Sequence, residues 1–324
     1  MPVNARDAQI IVLHKILALG DAGSGKSAQI ATLRGKKLVY AFDPGTLTLL
    51  ATRKVDADVE EFLPDIAGID MTLKGFNKGA KSDAPKRRVT EPRAYLDWEA
   101  KFNAAFDSGE LDQYDWIVFD SLTLFVKALM NRMLFLNNRF GDIEELSDYR
   151  VVGSKLASIF TAIASMKKNL YVTGHLTTFQ DEVTKRVTTQ IGIPGAARDM
   201  LPKLFSNIWL LSASTDEKTG YTLRTRPEPR GFQAIRTVIP NLPDVVDINI
   251  KDWTRPEDFG IGALVAGKLG GAPRSSSAPA RPIAPMQVSA PRPTMMATVS
   301  PSQPAPAGAP AAAIPSANPS QQQS

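Results

Sequence analysis

The segment Gly20-Asp21-Ala22-Gly23-Ser24-Gly25-Lys26-Ser27 fits the pattern G-x-x-x-x-G-K-S. Glycines at this spacing let the backbone curl until consecutive N–H groups point at one centre, which suits a string of phosphates. Lys26 then reaches the β- and γ-phosphates, and the Ser27 hydroxyl is placed to ligate magnesium. The segment follows the apolar run Lys15 to Leu19 and opens a helical pattern from Lys26 to Leu33, the context that phosphate chemistry requires. A nucleoside triphosphate with Mg2+ is the expected ligand.

A second group completes such a site. Asp120 ends the apolar strand Trp116 to Phe119, where a carboxylate holds magnesium through its water shell. Asp43 ends the strand Lys37 to Phe42 and is the candidate to orient an attacking water. Asp43-Pro44-Gly45 is equally a turn composition, so both readings stand at this point. His175 closes Thr173-Gly174-His175 at another strand end, placed to contact the γ-phosphate or simply to sit in solvent. Arg224 and Arg226 alternate on a late strand and so share a face. They are either a solvated strand face or a finger acting on a neighbouring subunit's nucleotide. For DNA contact the candidates are the basic loop 78–93, with Lys81, Lys86, Arg87 and Arg88, and the hairpin carrying Lys185 and Arg186.

The elements that must position these residues alternate apolar runs with helical patterns, the signature of a mostly parallel α/β sheet. Strands are expected at 15–19, 37–42, 69–73, 116–119 and 170–173, a hairpin at 177–191, and a closing meander at 208–211 and 221–223. Helices are expected at 94–106, 122–136, 149–166 and 196–205. Tyr95, Trp98, Phe102 and Phe106 recur at helical spacing and read as core, as do Met130, Met133 and Phe135.

About 94 residues separate Lys26 from Asp120, with at least one strand between them. This spacing suits the P-loop class with an inserted strand between the two motif strands, and disfavours GTPases and small phosphotransferases. With no Asn-Lys-x-Asp motif after the phosphate loop, ATP is favoured over GTP.

Composition narrows the rest. The chain of 324 residues has no cysteine and only His14 and His175, which excludes disulfides, thiolate metals and cysteine nucleophiles. No apolar stretch approaches the roughly 20 residues of a membrane span, and Met1 to Gln9 is too polar for a signal peptide. A cytoplasmic setting is expected. Lys268, Arg274, Arg281 and Arg292, with no acidic residue after Val265, carry most of the net charge of +5. The remainder is nearly neutral, so any DNA-binding surface must be local. Residues 259–324 are rich in Pro, Ala and Ser and read as a disordered tail. An extension at 1–11 and an ATPase domain at 12–258 complete the expected organisation.

The phosphate loop, the Tyr114 to Ser121 strand, Thr173-Gly174-His175 and the late arginine-bearing meander together resemble phage-encoded RecA-like ATP-binding proteins. This AAA-domain phage nucleotide-binding family includes the Sak-type ATP-dependent single-strand annealing proteins. The resemblance covers roughly residues 12 to 255. It implies a RecA-like core, ATP and Mg2+, self-assembly, and work on single-stranded DNA in recombination or replication. It also implies cooperation with a single-stranded-DNA-binding protein. Recombinases of this type usually place a glutamate after the second strand, where this chain has Asp43. Helicase- or packaging-type motors, and an ATP-switched assembly protein with little hydrolysis, are the alternatives.

Overall fold

Runs such as Lys15-Ile16-Leu17-Ala18-Leu19 are apolar on both sides of the pleat, which demands a sheet covered on both faces. A computed structural model describes residues 13–64, 90–180, 187–193, 197–214, 220–228 and 231–268, and contains that sheet. Its strands are β1 (Lys15–Leu19), β2 (Lys37–Ala41), β3 (Asp58–Glu61), β4 (Trp116–Asp120), β5 (Asn169–Gly174), β8 (Asn207–Ala213), β9 (Tyr221–Arg224) and β10 (Val245–Asp247). They lie in the order β10-β9-β8-β1-β5-β4-β2-β3. From β8 to β3 every pairing is parallel, and β9 and β10 add antiparallel at one edge. The strands β6 (Leu176–Gln180) and β7 (Val187–Ile191) form the separate hairpin expected at 177–191.

Alternation along each strand sorts side chains into two cores. Leu17, Leu19, Ile117 and Phe119 enter one, while Ile16, Ala18, Trp116 and Val118 enter the other. Helices α2 (Ala94–Asp107), α3 (Leu122–Leu136) and α4 (Leu146–Ser165) cover the first face. The edge-on contact of Trp98 and Phe125, with ring centroids 4.7 Å apart, anchors an aromatic cluster that also holds Tyr40, Phe119 and Phe160. Trp98, Met130 and Met133 are core residues as expected. Phe106 is not: at the end of α2 it is exposed, because the helix outruns the layer it packs on.

Several elements depart from the sequence expectation. The expected helix 26–33 is a 3-10 helix over Ser27–Thr32. Thr32 Oγ1 donates to the Gln29 carbonyl at 2.7 Å and Leu33 N to the Ile30 carbonyl, both tightening the turn. Helix α1 (Thr46–Thr52) forms from a threonine-rich run of weak helix propensity, with Leu50 buried in the second core. Strand β3 is acidic and lies at the sheet edge, where charge is tolerated. The strand expected at 69–73 falls outside the described residues. Helix α4 starts at Leu146 rather than Tyr149, because Glu145 and Asp148 form a capping box. The 196–205 segment divides into α5 (Ala197–Met200) and a 3-10 turn, Leu201–Leu204, that contains Pro202.

Packing also continues beyond residue 258. Helix α6 (Gly260–Val265) buries Ile261 and Leu264 in the second core. The Ile261 amide donates to Gln29 Oε1 at 2.9 Å, Gln29 Nε2 donates to the Ile248 carbonyl, and the Gly262 amide donates to Thr32 Oγ1. The helix after the phosphate loop is thereby tied to α6. A separate unit, Ser276–Ser324, lies outside the described residues. Among the described residues no helix is long and apolar enough to cross a membrane.

Candidate functional site

Strand β1 runs between β5 and β8 in the middle of the sheet, so its C-terminal end delivers the phosphate loop to a rigid position. The loop needs its glycines for two different reasons. Gly25 has φ +84°, and a Cβ there would also meet the Tyr221 ring at 3.0 Å. At Gly20 the constraint is space, since a Cβ would lie 2.3 Å from the Leu211 carbonyl oxygen. The loop is closed by Ser24 N donating to the Asp21 carbonyl, and from below by Tyr171, whose buried hydroxyl donates to the Lys26 carbonyl at 2.8 Å. Asp21, Ala22 and Gly23 are exposed at the crest, and Ser27 is half-buried.

Lys26 is buried at 6% exposure, with its ammonium donating to the carbonyls of Gly20 (2.9 Å) and Asp21 (2.7 Å) and to Ser24 Oγ (3.2 Å). Burial lowers its pKa, opposed by the charges of Asp120, Asp21 and Asp43. Lys26 therefore shares its neighbourhood with carboxylates that would repel a bare triphosphate. Magnesium fits this balance, because it brings the positive charge that lets phosphates and Asp120 share one site.

Asp120 is the last residue of β4 and is 2% exposed. Its Oδ2 accepts from Thr46 Oγ1 at 2.6 Å, and its Oδ1 accepts a short bond from Thr173 Oγ1. Two hydroxyls thus fix the carboxylate while each oxygen keeps a lone pair for a water of the metal shell. Its backbone carbonyl accepts from Phe42 N at 2.6 Å and Asp43 N at 3.1 Å, which ties the end of β2 to the end of β4. Among the described residues no group of three or more His, Asp or Glu gathers as a metal site.

Asp43 lies close enough to Lys26 for its charge to act there, yet its Oδ1 accepts from Gly45 N at 3.0 Å. The carboxylate therefore makes the turn before α1, and its second oxygen faces no protein donor among the described residues. His175 follows β5 and is half-buried. Burial lowers its pKa and the nearby Lys26 charge lowers it further, opposed by Asp43, Asp120 and Asp21. Its imidazole is thus neutral at neutral pH and stands among the same groups. The His175 backbone N–H donates to Thr123 Oγ1 and its carbonyl accepts from Gly192 N, so the residue links β5, α3 and the β6–β7 hairpin.

Of the two arginines, Arg224 lies on the late strand as expected and Arg226 does not. Arg224 is the last residue of β9 and pairs with Glu228 at 2.5 Å. Arg226 lies beyond the strand and pairs with Asp244 at 3.4 Å, so strand alternation does not set its direction. Lys185, Arg186 and most of the 78–93 loop fall outside the described residues. Residues that the motifs did not announce complete the site. Thr46 and Tyr171 carry no motif signal, and Thr173 stood out only as a neighbour of His175. Tyr221, 41% exposed beside Gly25, is reachable only through the sheet order that brings β9 near the loop.

Strand β5 lies between β1 and β4, and both the phosphate loop and Asp120 emerge at the C-terminal edge of that sheet. Fold and site together define an α/β P-loop nucleotide-binding core of the kind with an inserted strand. A family model described as an AAA domain matches residues 14–237, and the chain belongs to that family. No curated protein matches the chain.

Proposed function

We propose that this chain hydrolyses ATP with Mg2+ as a RecA-like ATPase that acts on single-stranded DNA in phage recombination or replication, by strand annealing. The observation that carries the hydrolytic reading is the fixed pair of Lys26, in the loop after β1, and Asp120, at the end of β4, with β5 between the two strands and His175 within reach of both charges. The loop amides and Lys26 hold the phosphates, Ser27 and Asp120 hold the metal, and Asp43 directs a water at the γ-phosphate. Bound magnesium supplies charge neutralisation at the transferring phosphoryl group. His175, which touches both the site and the hairpin, reports the γ-phosphate to β6 and β7. Within a homo-oligomer, Arg224 and Arg226 approach a neighbour's nucleotide, while Lys185 and Arg186 contact DNA delivered with a single-stranded-DNA-binding protein.

A second reading has its own support. The Asp43 carboxylate is engaged by Gly45 N, which favours an ATP-switched assembly protein with little hydrolysis. Phosphate release measured with and without single-stranded DNA, alongside Lys26→Ala and Asp43→Asn, decides between them. The ATPase reading expects DNA-stimulated turnover that both variants lose. The switch reading expects binding without turnover and no effect of Asp43→Asn.

A further inference from the structure

A cleft of about 850 Å³ opens at the N-terminal edge of the sheet, opposite the phosphate loop. Its walls come from the segment leading into β2, the α1–β3 connection and residues 253–257. Five cationic side chains line it, Arg34, Lys36, Lys37, Arg53 and Lys54, against two carboxylates, Asp56 and Glu257. The volume is that of a small-ligand site and far exceeds what a single inorganic anion needs.

The cations are not equally committed to partners. Arg34 pairs with Asp258 at 3.0 Å, and Lys36 with Gln113 at 2.7 Å and Asp58 at 3.6 Å. Lys37 is buried, donates to the carbonyls of Leu33 and Gly35, and lies within reach of the charges of Asp56, Glu257 and Asp115, so it is committed to the protein. Arg53 and Lys54 are exposed, and among the described residues neither has a carboxylate within ion-pair distance. The Arg53 guanidinium lies 4.4 Å over the Trp253 ring. Trp98, Trp116 and Trp209 are all buried, whereas Trp253 is partly exposed on the cleft wall.

Lys54 supplies an independent observation. It has φ +53°, with its N–H donating to the Ala51 carbonyl and Val55 N donating to the Leu50 carbonyl. This is the left-handed residue that ends a helix, a position that favours glycine. Keeping a lysine there strains the backbone and sets an ammonium at the cleft rim, and such strain points to use of the side chain.

We propose that this cleft binds the backbone of single-stranded nucleic acid, with Arg53 and Lys54 facing phosphates and Trp253 stacking a base. The proposal rests on the DNA-acting reading above and gives it a second surface, separate from the nucleotide site. A cationic groove bearing an aromatic face is the combination that single strands use, since every base offers a π-face. An acidic peptide would find the charge but nothing to stack.

The test uses the full chain without nucleotide, dye-labelled oligo-dT for anisotropy and unlabelled oligo-dT for tryptophan quenching. Wild type is expected to bind in a salt-sensitive manner and to lose tryptophan emission. Lys54→Gly relieves the strained φ, so its melting temperature is expected to hold or rise while the logarithmic salt slope falls by about 0.7. Trp253→Ala is expected to abolish the quenching and weaken binding on the order of ten-fold. If both variants bind like wild type and quenching survives, DNA binds elsewhere and the cleft proposal falls while the DNA-acting reading stands. If wild type binds no oligonucleotide at low salt, both fall. If a polyglutamate peptide competes as well as oligo-dT and no quenching occurs, the assignment to nucleic acid is overturned.

Discussion

Replacing Thr46 by valine keeps the shape of the side chain and removes one hydroxyl. In the wild type that hydroxyl donates to Asp120 Oδ2 at 2.6 Å, with the two residues 1% and 2% exposed. A hydrogen bond to a charged, buried acceptor contributes about 1.5–3 kcal/mol. For a folded region of this size each kcal/mol moves the melting temperature by roughly 2–4 °C, so Thr46→Val is expected to melt about 3–12 °C lower. The functional effect is separable. With one tether gone the carboxylate swings on its Thr173 contact, and loss of such a supporting partner costs about ten-fold or more in metal affinity. The assay is a magnesium titration of nucleotide binding by a fluorescent ATP analogue, run beside thermal melting. Thr46→Ser, which retains the donor, should stay close to wild type in both. A Thr46→Val protein with wild-type melting and a wild-type magnesium midpoint would refute the role of this hydroxyl.

Tyr171→Phe frees the Lys26 carbonyl and is expected to cost about 1 kcal/mol of stability together with weaker nucleotide binding, measured by melting and titration. Gly262→Ala sets a Cβ 1.6 Å from the Thr32 carbonyl oxygen, so α6 must lift from the phosphate-loop helix; denaturant unfolding should show a loss of about 2–3 kcal/mol. His14 and His175 both have lowered pKa values, through burial first and, for His175, the Lys26 charge second. The unfolded chain therefore takes up these protons before the folded one does, and the associated stability, full above about pH 6.5, is lost as pH falls through the folded values. Melting temperatures across that range should decline on acidification, and His14→Gln should flatten the decline.

The phosphate loop was legible because its chemistry is local: eight consecutive residues set both the backbone path and the ligand groups. Asp120 was legible because it closes an apolar run, and the inserted strand followed from the separation of the two motifs. Thr46 was not, since its role depends on the end of β2 lying beside the end of β4, a register set by sheet order. Tyr221 is hidden in the same way, reaching the loop only because β9 joins the sheet through β8. Helix α1 was missed where threonines weaken propensity and burial of Leu50 overrides it. Helix α6 lies within 259–324, a stretch whose Pro, Ala and Ser content reads as disorder, and its six residues are too short a run to show a helical period of their own. Its glycines serve contact with Thr32 and Gln29, which no local pattern announces. Arg226 misleads in the opposite sense, because strand alternation does not reach past Arg224, where β9 ends.

The account turns on Lys26 gripping phosphates beside a magnesium carried by Asp120. Its most direct test is binding of a fluorescent ATP analogue by wild type and Lys26→Ala, each with magnesium and with chelator. Wild type is expected to bind tightly with magnesium and weakly without it. Lys26→Ala, still folded by melting, is expected to bind at least about ten-fold more weakly, the loss of a charge-assisted phosphate contact. Equal binding by the two proteins, or binding indifferent to magnesium, would contradict the site.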